Sequence, residues 1–423
     1  MLGVSKPERR TLLVVSGGRE AVPAIEEARR LGLRVVVSDG APDAPGFQLA
    51  DAALLASTYD VEATVEAARA YASRTRIDGV LAAAADVPMT VAAVAHTLGL
   101  PGVPLETARL ASDKLARKDR FRAAGVPIPW YAPVPDGRAL REIVARARGR
   151  LIVKPVDSRG ARGVIRLLDG VDLDWAFATA ASASPTSRVM VEEFVPGPQV
   201  STESVVAGEW TRTPGCADRN YALLDRFAPF VIEDGGDLPS RLSAADRTRV
   251  DAVVAAAAAA LGVRHGTVKG DIVMGPAGPV VIELAVRLSG GFFCTHEIPL
   301  ATGVNFVAAA IRCALGETPS PAELTPRWSL GVAQRYFFPE PGIVERIEGV
   351  ESVASAEGIA FLELRTAPGA RVVPTTSHVC RAGVVIAVGD DRDTAIARAE
   401  AAAAGVRIVT RPALPASDRR VLH

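Results

Sequence analysis

Thr267-Val268-Lys269-Gly270-Asp271-Ile272-Val273-Met274 and Val280-Val281-Ile282-Glu283-Leu284-Ala285-Val286-Arg287 are two β-prone runs, joined by Gly275-Pro276-Ala277-Gly278-Pro279. The Gly and Pro content of the join predicts a hairpin loop. A hairpin symmetric about Ala277 pairs Met274 with Val280 and sets Asp271 opposite Glu283, with Cβ atoms roughly 4.5 to 5.5 Å apart. Alternation places Glu283, Ala285 and Arg287 on one face, and Val280, Ile282 and Leu284 on the other, which can enter a core. Two carboxylates held so close repel unless a cation lies between them. Hard oxygen donors suit Mg²⁺, which takes one or two carboxylates and completes its shell with water and substrate phosphates. A solvated face balanced by Lys269 is the competing reading.

Outward from the hairpin, the composition narrows the choice of partner. At 423 residues the chain holds two or three domains. Lys plus Arg equals Asp plus Glu at 48 each, so no bulk field favours nucleic acid or an anionic membrane. Cys216, Cys294, Cys313 and Cys380 lack metal-site spacing and read as reduced thiols. No leader-like h-region follows the charged start and no run reaches transmembrane length, so a cytoplasmic location is expected.

Upstream, Thr11–Val15, a Ser16-Gly17-Gly18 turn, a helix over Glu20–Leu31 and a strand over Arg34–Ser38 give a parallel, Rossmann-like pattern. The turn lacks the Gly-x-Gly-x-x-Gly fingerprint, which argues against a dinucleotide. Gly79–Ala85 is a further strand whose end carries Asp86, either into the crevice or as a helix cap. A helix over Ser112–Ala124, capped by Ser112, sets Lys114 in its first turn, either against phosphate or in solvent. Leu151–Val153 leads through Lys154-Pro155 into Ser158-Arg159-Gly160-Ala161-Arg162-Gly163, a loop whose amides and guanidinium groups can close over phosphates. Arg188–Val191 runs into Glu192-Glu193-Phe194-Val195 and a turn, and Gln199–Val206 alternates as a strand. A long helix spans Ser243–Leu261, and another runs from about Asn305 to Leu315. Beyond a proline-marked linker, short strands at Gly331–Phe337, Ala360–Arg365 and Val384–Val388 and a helix over Asp393–Ala404 form a small α+β domain. There, His378 and Arg381 either reach substrate or serve the fold.

Ser112-Asp113-Lys114, Val153-Lys154-Pro155, the loop to Gly163, Val191-Glu192-Glu193-Phe194-Val195, and Asp271 with Glu283 and Arg287 together resemble the ATP-grasp superfamily in order and spacing. The resemblance implies an α/β and α+β multidomain architecture. Its parts are a Rossmann-like pre-ATP domain over residues 1–108, an ATP-grasp domain of two α+β subdomains over 109–325 with a lid at about 130–205, and a C-terminal α+β domain over 326–423 similar to that of the L-amino-acid ligase group. It implies ATP with Mg²⁺, Mn²⁺ being an alternative ion. Lys114 and Lys154 would hold phosphates, with Lys154 and Arg287 as catalytic residues. Ser158, Arg159, Gly160 and Gly163 would close over the triphosphate. Glu192, Glu193, Phe194 and Val195 would receive adenine, Gln199 the ribose, and Asp271 and Glu283 the metal. Asp86, Glu233, Ser289, Gly290, Gly291 and His296 are substrate-facing candidates, beside Glu297 and Arg365.

The activity so implied is ATP-dependent joining of a small-molecule carboxylate to an amine through an acylphosphate. Phosphoryl transfer needs positioning and charge neutralisation rather than a covalent residue, which agrees with the residue types present. Two departures stand out: Ala285 occupies the place of the family's metal-binding Asn, and Lys269-Gly270-Asp271 replaces a His-x-Glu. The alternatives are a carboxylase activating bicarbonate and a nucleotide-binding module without turnover. The first lacks support, because Leu288-Ser289-Gly290-Gly291 follows Arg287 where biotin carboxylase has Val-Glu-His. A homodimer is left open.

Overall fold

The computed structural model describes residues 9–413, so the first eight residues of the charged start lie outside it. Contacts gather into two units, each assembled from separated stretches of chain.

The first unit comprises Met1–Pro133, Glu192–Asp218 and Ser240–Ser329. Its N-terminal layer is a parallel sheet in the order Ala52–Leu55, Arg34–Asp39, Thr11–Val15, Gly79–Leu81. The apolar residues of the Thr11–Val15 strand are fully buried, as expected of a sheet covered on both faces. The helix expected over Glu20–Leu31 starts later, at Val22, after a 3₁₀ turn at Arg19–Ala21. Pro23 near its start suits a first helical turn, which has no use for that N–H. The strand expected to reach Ala85 ends at Leu81. Beyond it Ala84 is left-handed (φ 58°), while Ala83 forms a parallel bridge to Leu288.

The second layer of this unit is antiparallel, in the order Gly278–Ala285, His265–Gly275, Gln199–Ala207, Trp210–Asn220. The helix Ala244–Leu261 covers one face, capped by Ser243, whose side chain accepts from Asp246 N–H, and stopped by left-handed Gly262. Val250, Val253, Val254, Ala257, Ala258 and Leu261 form its buried stripe and share a core with Val268, Ile272, Val281 and Leu284. That core holds the carboxylate hairpin rigidly from behind.

The hairpin itself differs from the symmetric expectation. Gly275 pairs with Gly278, Met274 with Pro279 rather than Val280, and Ile272 with Val281. A register shift then follows, and Asp271 pairs with Glu283. The turn is tighter than expected, and one extra residue on the second strand, a β-bulge, restores the carboxylate pairing. Because of that shift the core takes Val281 and Leu284, while Val280 and Ile282 are only half-buried.

The second unit comprises Val134–Val191, Arg219–Pro239 and Leu330–His423. Leu151–Pro155 pairs antiparallel with Ile165–Leu167, which frames the glycine loop. Gly235–Leu238, Gly331–Tyr336, Gly383–Gly389 and Ile359–Leu364 lie side by side, with the helix Arg392–Gly405 packing Ala395 and Ala399 against Ala333 and Ala387. A separate sheet of Arg371–Val372, Gly342–Glu348 and Arg407–Arg411 was not foreseen from sequence. All four cysteines are free thiols. Among the described residues no helix is long and apolar enough to cross a membrane.

Candidate active site

Three strands of the first unit lay out a two-row grid. Pairing sets Ser201, Asp271 and Glu283 in one row, and Glu203, Lys269 and Ala285 in the next. Residues paired across strands face the same side. The Ser201 hydroxyl donates to Asp271 Oδ1 at 3.1 Å, and the Lys269 ammonium also contacts Asp271. Asp271 and Lys269 are both largely buried.

The helix Lys114–Ala123 supplies cations to the same carboxylates. Its N-cap is Asp113, which accepts from Ala116 N–H, and not Ser112, which ends the preceding helix and donates to Ala108 O. Lys114 is buried, with Nζ 4.0 Å from Glu283 Oε1. One turn on, Arg117 Nη2 donates to Glu283 Oε1 at 2.9 Å, and its Nη1 donates to the carbonyls of Ala111 (2.8 Å) and Leu284 (3.3 Å). Lys118, also buried, pairs with Glu192 at 2.5 Å. The carboxylate expected to face adenine is thus engaged by a lysine. Glu193 is exposed and its N–H donates to Trp130 O, Phe194 and Val195 are half-buried, and Gln199 pairs with Val273. Arg117 and Lys118 were missed from sequence, although their i+3 and i+4 spacing from Lys114 puts all three on one helical face.

Arg287 lies at the end of the hairpin, where the bridge between Ala83 and Leu288 brings Asp86 within 3.4 Å of its Nε. Burial acts to lower the Arg287 pKa, but Asp86, Glu283, Glu203 and Asp271 together hold it above its ordinary value. Four carboxylates therefore converge electrostatically on one guanidinium. The following turn is closely tied. Ser289 N–H donates to Glu203 Oε1 at 2.6 Å, and Gly291 N–H donates to Glu20 Oε2 at 2.7 Å. The anion received at Gly291 is thus the protein's own Glu20. Ala84 and Phe292, both non-glycine, adopt positive φ around this turn (58° and 65°), backbone strain of the kind that collects at functional sites. His296 is half-buried beside Phe292, and burial lowers its pKa; Glu297 is buried. Glu203 is fully buried, and burial raises its carboxyl to about 7 against the pull of Ser289, Arg287 and Lys269. No sequence signal marked it, since an acid in an alternating strand ordinarily faces water.

In the second unit, Lys154 is buried at the strand end, and Ser158 and Arg159 are half-buried in the loop. Gly160 is exposed, and its carbonyl accepts from His378 N–H at 3.0 Å. Gly163 is left-handed (φ 68°), and a Cβ there would lie 2.7 Å from that of Ala183, so this corner of the loop requires glycine. Glu233 contacts the Arg219 guanidinium, its N–H donates to His378 Nε2 at 3.3 Å, and its carbonyl accepts from Arg381 at 2.6 Å. Arg381 also stacks 3.7 Å from the Tyr336 ring centre, which explains His378 and Arg381 as parts of one local network. Arg365 donates to Glu363.

Among the described residues no group of three or more His, Cys, Asp or Glu could hold a metal ion. The two facing carboxylates nonetheless suit Mg²⁺, which needs only one or two when phosphates complete its shell.

Three family models match in sequence order: an ATP-grasp N-terminal domain over residues 25–102, an ATP-grasp domain over 111–291, and an L-amino acid ligase C-terminal domain over 335–411. The crystal structure of an L-amino acid ligase from Bacillus licheniformis superposes with a TM-score of 0.81 at 21% identity, covering 96% of this chain and 100% of that one. A formate-dependent phosphoribosylglycinamide formyltransferase from Burkholderia thailandensis is 29% identical over 96% of this chain and 97% of its own length. An uncharacterized protein of Sinorhizobium fredii is 26% identical over 92% and 82% respectively.

Proposed function

The chain belongs to the ATP-grasp superfamily, and from that membership we propose that it is a ligase joining a small-molecule carboxylate to an amine, with ATP cleaved to ADP and phosphate. The observation that carries this reading is the pairing of Asp271 with Glu283 on a face that also presents Lys269 and, from the neighbouring helix, Lys114 and Arg117. Two carboxylates ringed by cations suit a metal-bound polyphosphate better than a neutral ligand. In this reading the acid's oxygen attacks the γ-phosphorus, ADP leaves, and the amine displaces phosphate from the resulting acylphosphate.

Asp271 and Glu283 would hold Mg²⁺, or Mn²⁺, which neutralises charge on the triphosphate. Lys114 binds phosphate oxygens. Arg287, freed from Asp86 as substrate enters, binds the oxygens of the transferred phosphoryl group and steadies the acyl carbonyl. The amides of Gly290 and Gly291 become donors to the acid once Glu20 withdraws. Within the second unit, buried Lys154 and the loop Ser158 to Gly163 have the cationic and glycine character of a phosphate-binding segment. The C-terminal match favours an amino-acid substrate as acid, amine or both. The formyltransferase likeness makes formate an acid worth including in any screen.

The test is ADP release from purified protein across a panel of carboxylic acids, formate and bicarbonate included, with and without amines. Turnover requiring both an acid and an amine is expected. Bicarbonate-driven turnover with no amine would replace this reading with a carboxylase. Asp271→Ala or Glu283→Ala should lower activity by roughly 10³-fold or more with the melting transition preserved, given how much phosphoryl transfer relies on charge neutralisation. Undiminished turnover in either variant overturns the metal site.

A further inference from the structure

Lys269 occupies an unusual place in the grid of the first unit. Its row neighbours are Glu203 on one side and Ala285 on the other, and its ammonium leans along its own strand onto Asp271. A cation already sits on one of the two carboxylates expected to take metal. Ala285 is small and buried, so the row leaves the lysine chain space without supplying a polar group to hold it. Glu203 offers a second seat. Its Oε1 is taken by Ser289 N–H, while its Oε2 is buried and has no hydrogen-bond partner. A fully buried carboxylate oxygen left unsatisfied is costly and calls for a donor, and the paired residue on the adjoining strand is Lys269.

We propose that Lys269 is a resident cation of the metal site, occupying Asp271 until a divalent ion arrives and then transferring its ammonium to Oε2 of Glu203. The transfer needs only rotation of a flexible four-carbon side chain. It keeps Asp271 neutralised when no metal is bound and satisfies Glu203 when metal is bound. Divalent metal then binds weakly to the protein alone and more tightly once nucleotide phosphates supply the remaining ligands. The proposal rests on the reading of Asp271 and Glu283 as metal ligands, and its test separates the two.

The probe is Mn²⁺ titrated into the full-length, nucleotide-free protein, with free Mn²⁺ followed by its electron paramagnetic resonance signal. Lys269→Met should bind Mn²⁺ roughly tenfold more tightly than wild type, since a like charge within contact distance of the ion is removed. Lys269→Gln serves if the methionine variant does not fold. Glu203→Gln should weaken binding in the wild-type background and do so less in the Lys269→Met background, because the two side chains act as one exchange pair. Unchanged or weaker affinity in both Lys269 variants overturns the proposal, as does an equal effect of Glu203→Gln in both backgrounds. Asp271→Asn is the control. If it leaves Mn²⁺ binding intact, the metal-site reading itself fails; if it abolishes binding while Lys269→Met has no effect, only the resident-cation proposal falls.

Discussion

At the scale of single residues, the site runs on carboxylates whose surroundings differ sharply. Asp271 and Glu283 each contact a cation, whereas Glu203 has one backbone donor and complete burial. With its carboxyl raised to about 7 from 4.5, the folded state holds the Glu203 proton more tightly than the unfolded chain does. That proton contributes about 3 kcal/mol of stability, present in full below about pH 4.5 and lost as pH rises through about 7. Glu203→Gln keeps an acceptor for Ser289 N–H and removes the ionisation. It is expected to melt several degrees above wild type at pH 8 and close to it at pH 5, measured by thermal unfolding without metal or nucleotide. A variant that melts lower at pH 8 would mean that Lys269 and Arg287 already compensate the ionised form.

At the scale of elements, the sequence was informative where local chemistry decides the outcome. The helix Ala244–Leu261 matched from cap to stop, because Ser243 and Gly262 act through their own backbone surroundings. The pairing of Asp271 with Glu283 was legible too, but for an incomplete reason: a tighter turn and a compensating bulge replaced the symmetric loop, and no propensity rule locates a bulge. Sheet neighbours distant in sequence, such as Gly342–Glu348 beside Arg407–Arg411, were invisible because their strands pair only through tertiary structure. The cap of the helix carrying Lys114, Arg117 and Lys118 moved by one residue, since Ser112 completes the preceding helix and leaves Asp113 as the first side chain able to accept from Ala116 N–H. Asp113→Ala should therefore cost about 1 kcal/mol, against at most about 0.5 kcal/mol for Ser112→Ala. Denaturant unfolding of the two variants checks the assignment, and a larger loss from Ser112→Ala would return the cap to the serine.

At the scale of the molecule, the C-terminal stretch is not an appendage. Residues from Leu330 onward cluster with Val134–Val191 and Arg219–Pro239, so the second unit closes only after the chain has passed through the first unit three times. Gly235–Leu238 pairs along its length with Gly331–Tyr336, and Asp237 is buried between Arg335, at 2.7 Å, and Arg392. The Gly160 carbonyl of the glycine loop likewise accepts from His378, far along the sequence. Ending the chain after Ser329 would strip the Gly235–Leu238 strand of this partner and Asp237 of both its cations. It would also remove Val332, Ala333, Val385 and Ile386, which are fully buried. An unpaired apolar strand edge is an aggregation site, and a strand with no core behind it does not persist. The truncated chain should therefore partition into the insoluble fraction, or, if recovered, lose cooperative melting of the second unit while the first retains its own transition, because the hairpin, its covering helix and the parallel sheet lie wholly in the first. Differential scanning calorimetry of the 1–329 fragment beside the whole protein distinguishes these outcomes. A fragment that keeps a second cooperative transition would show that the glycine-loop region folds without the C-terminal strands, and the second unit would then be two domains rather than one.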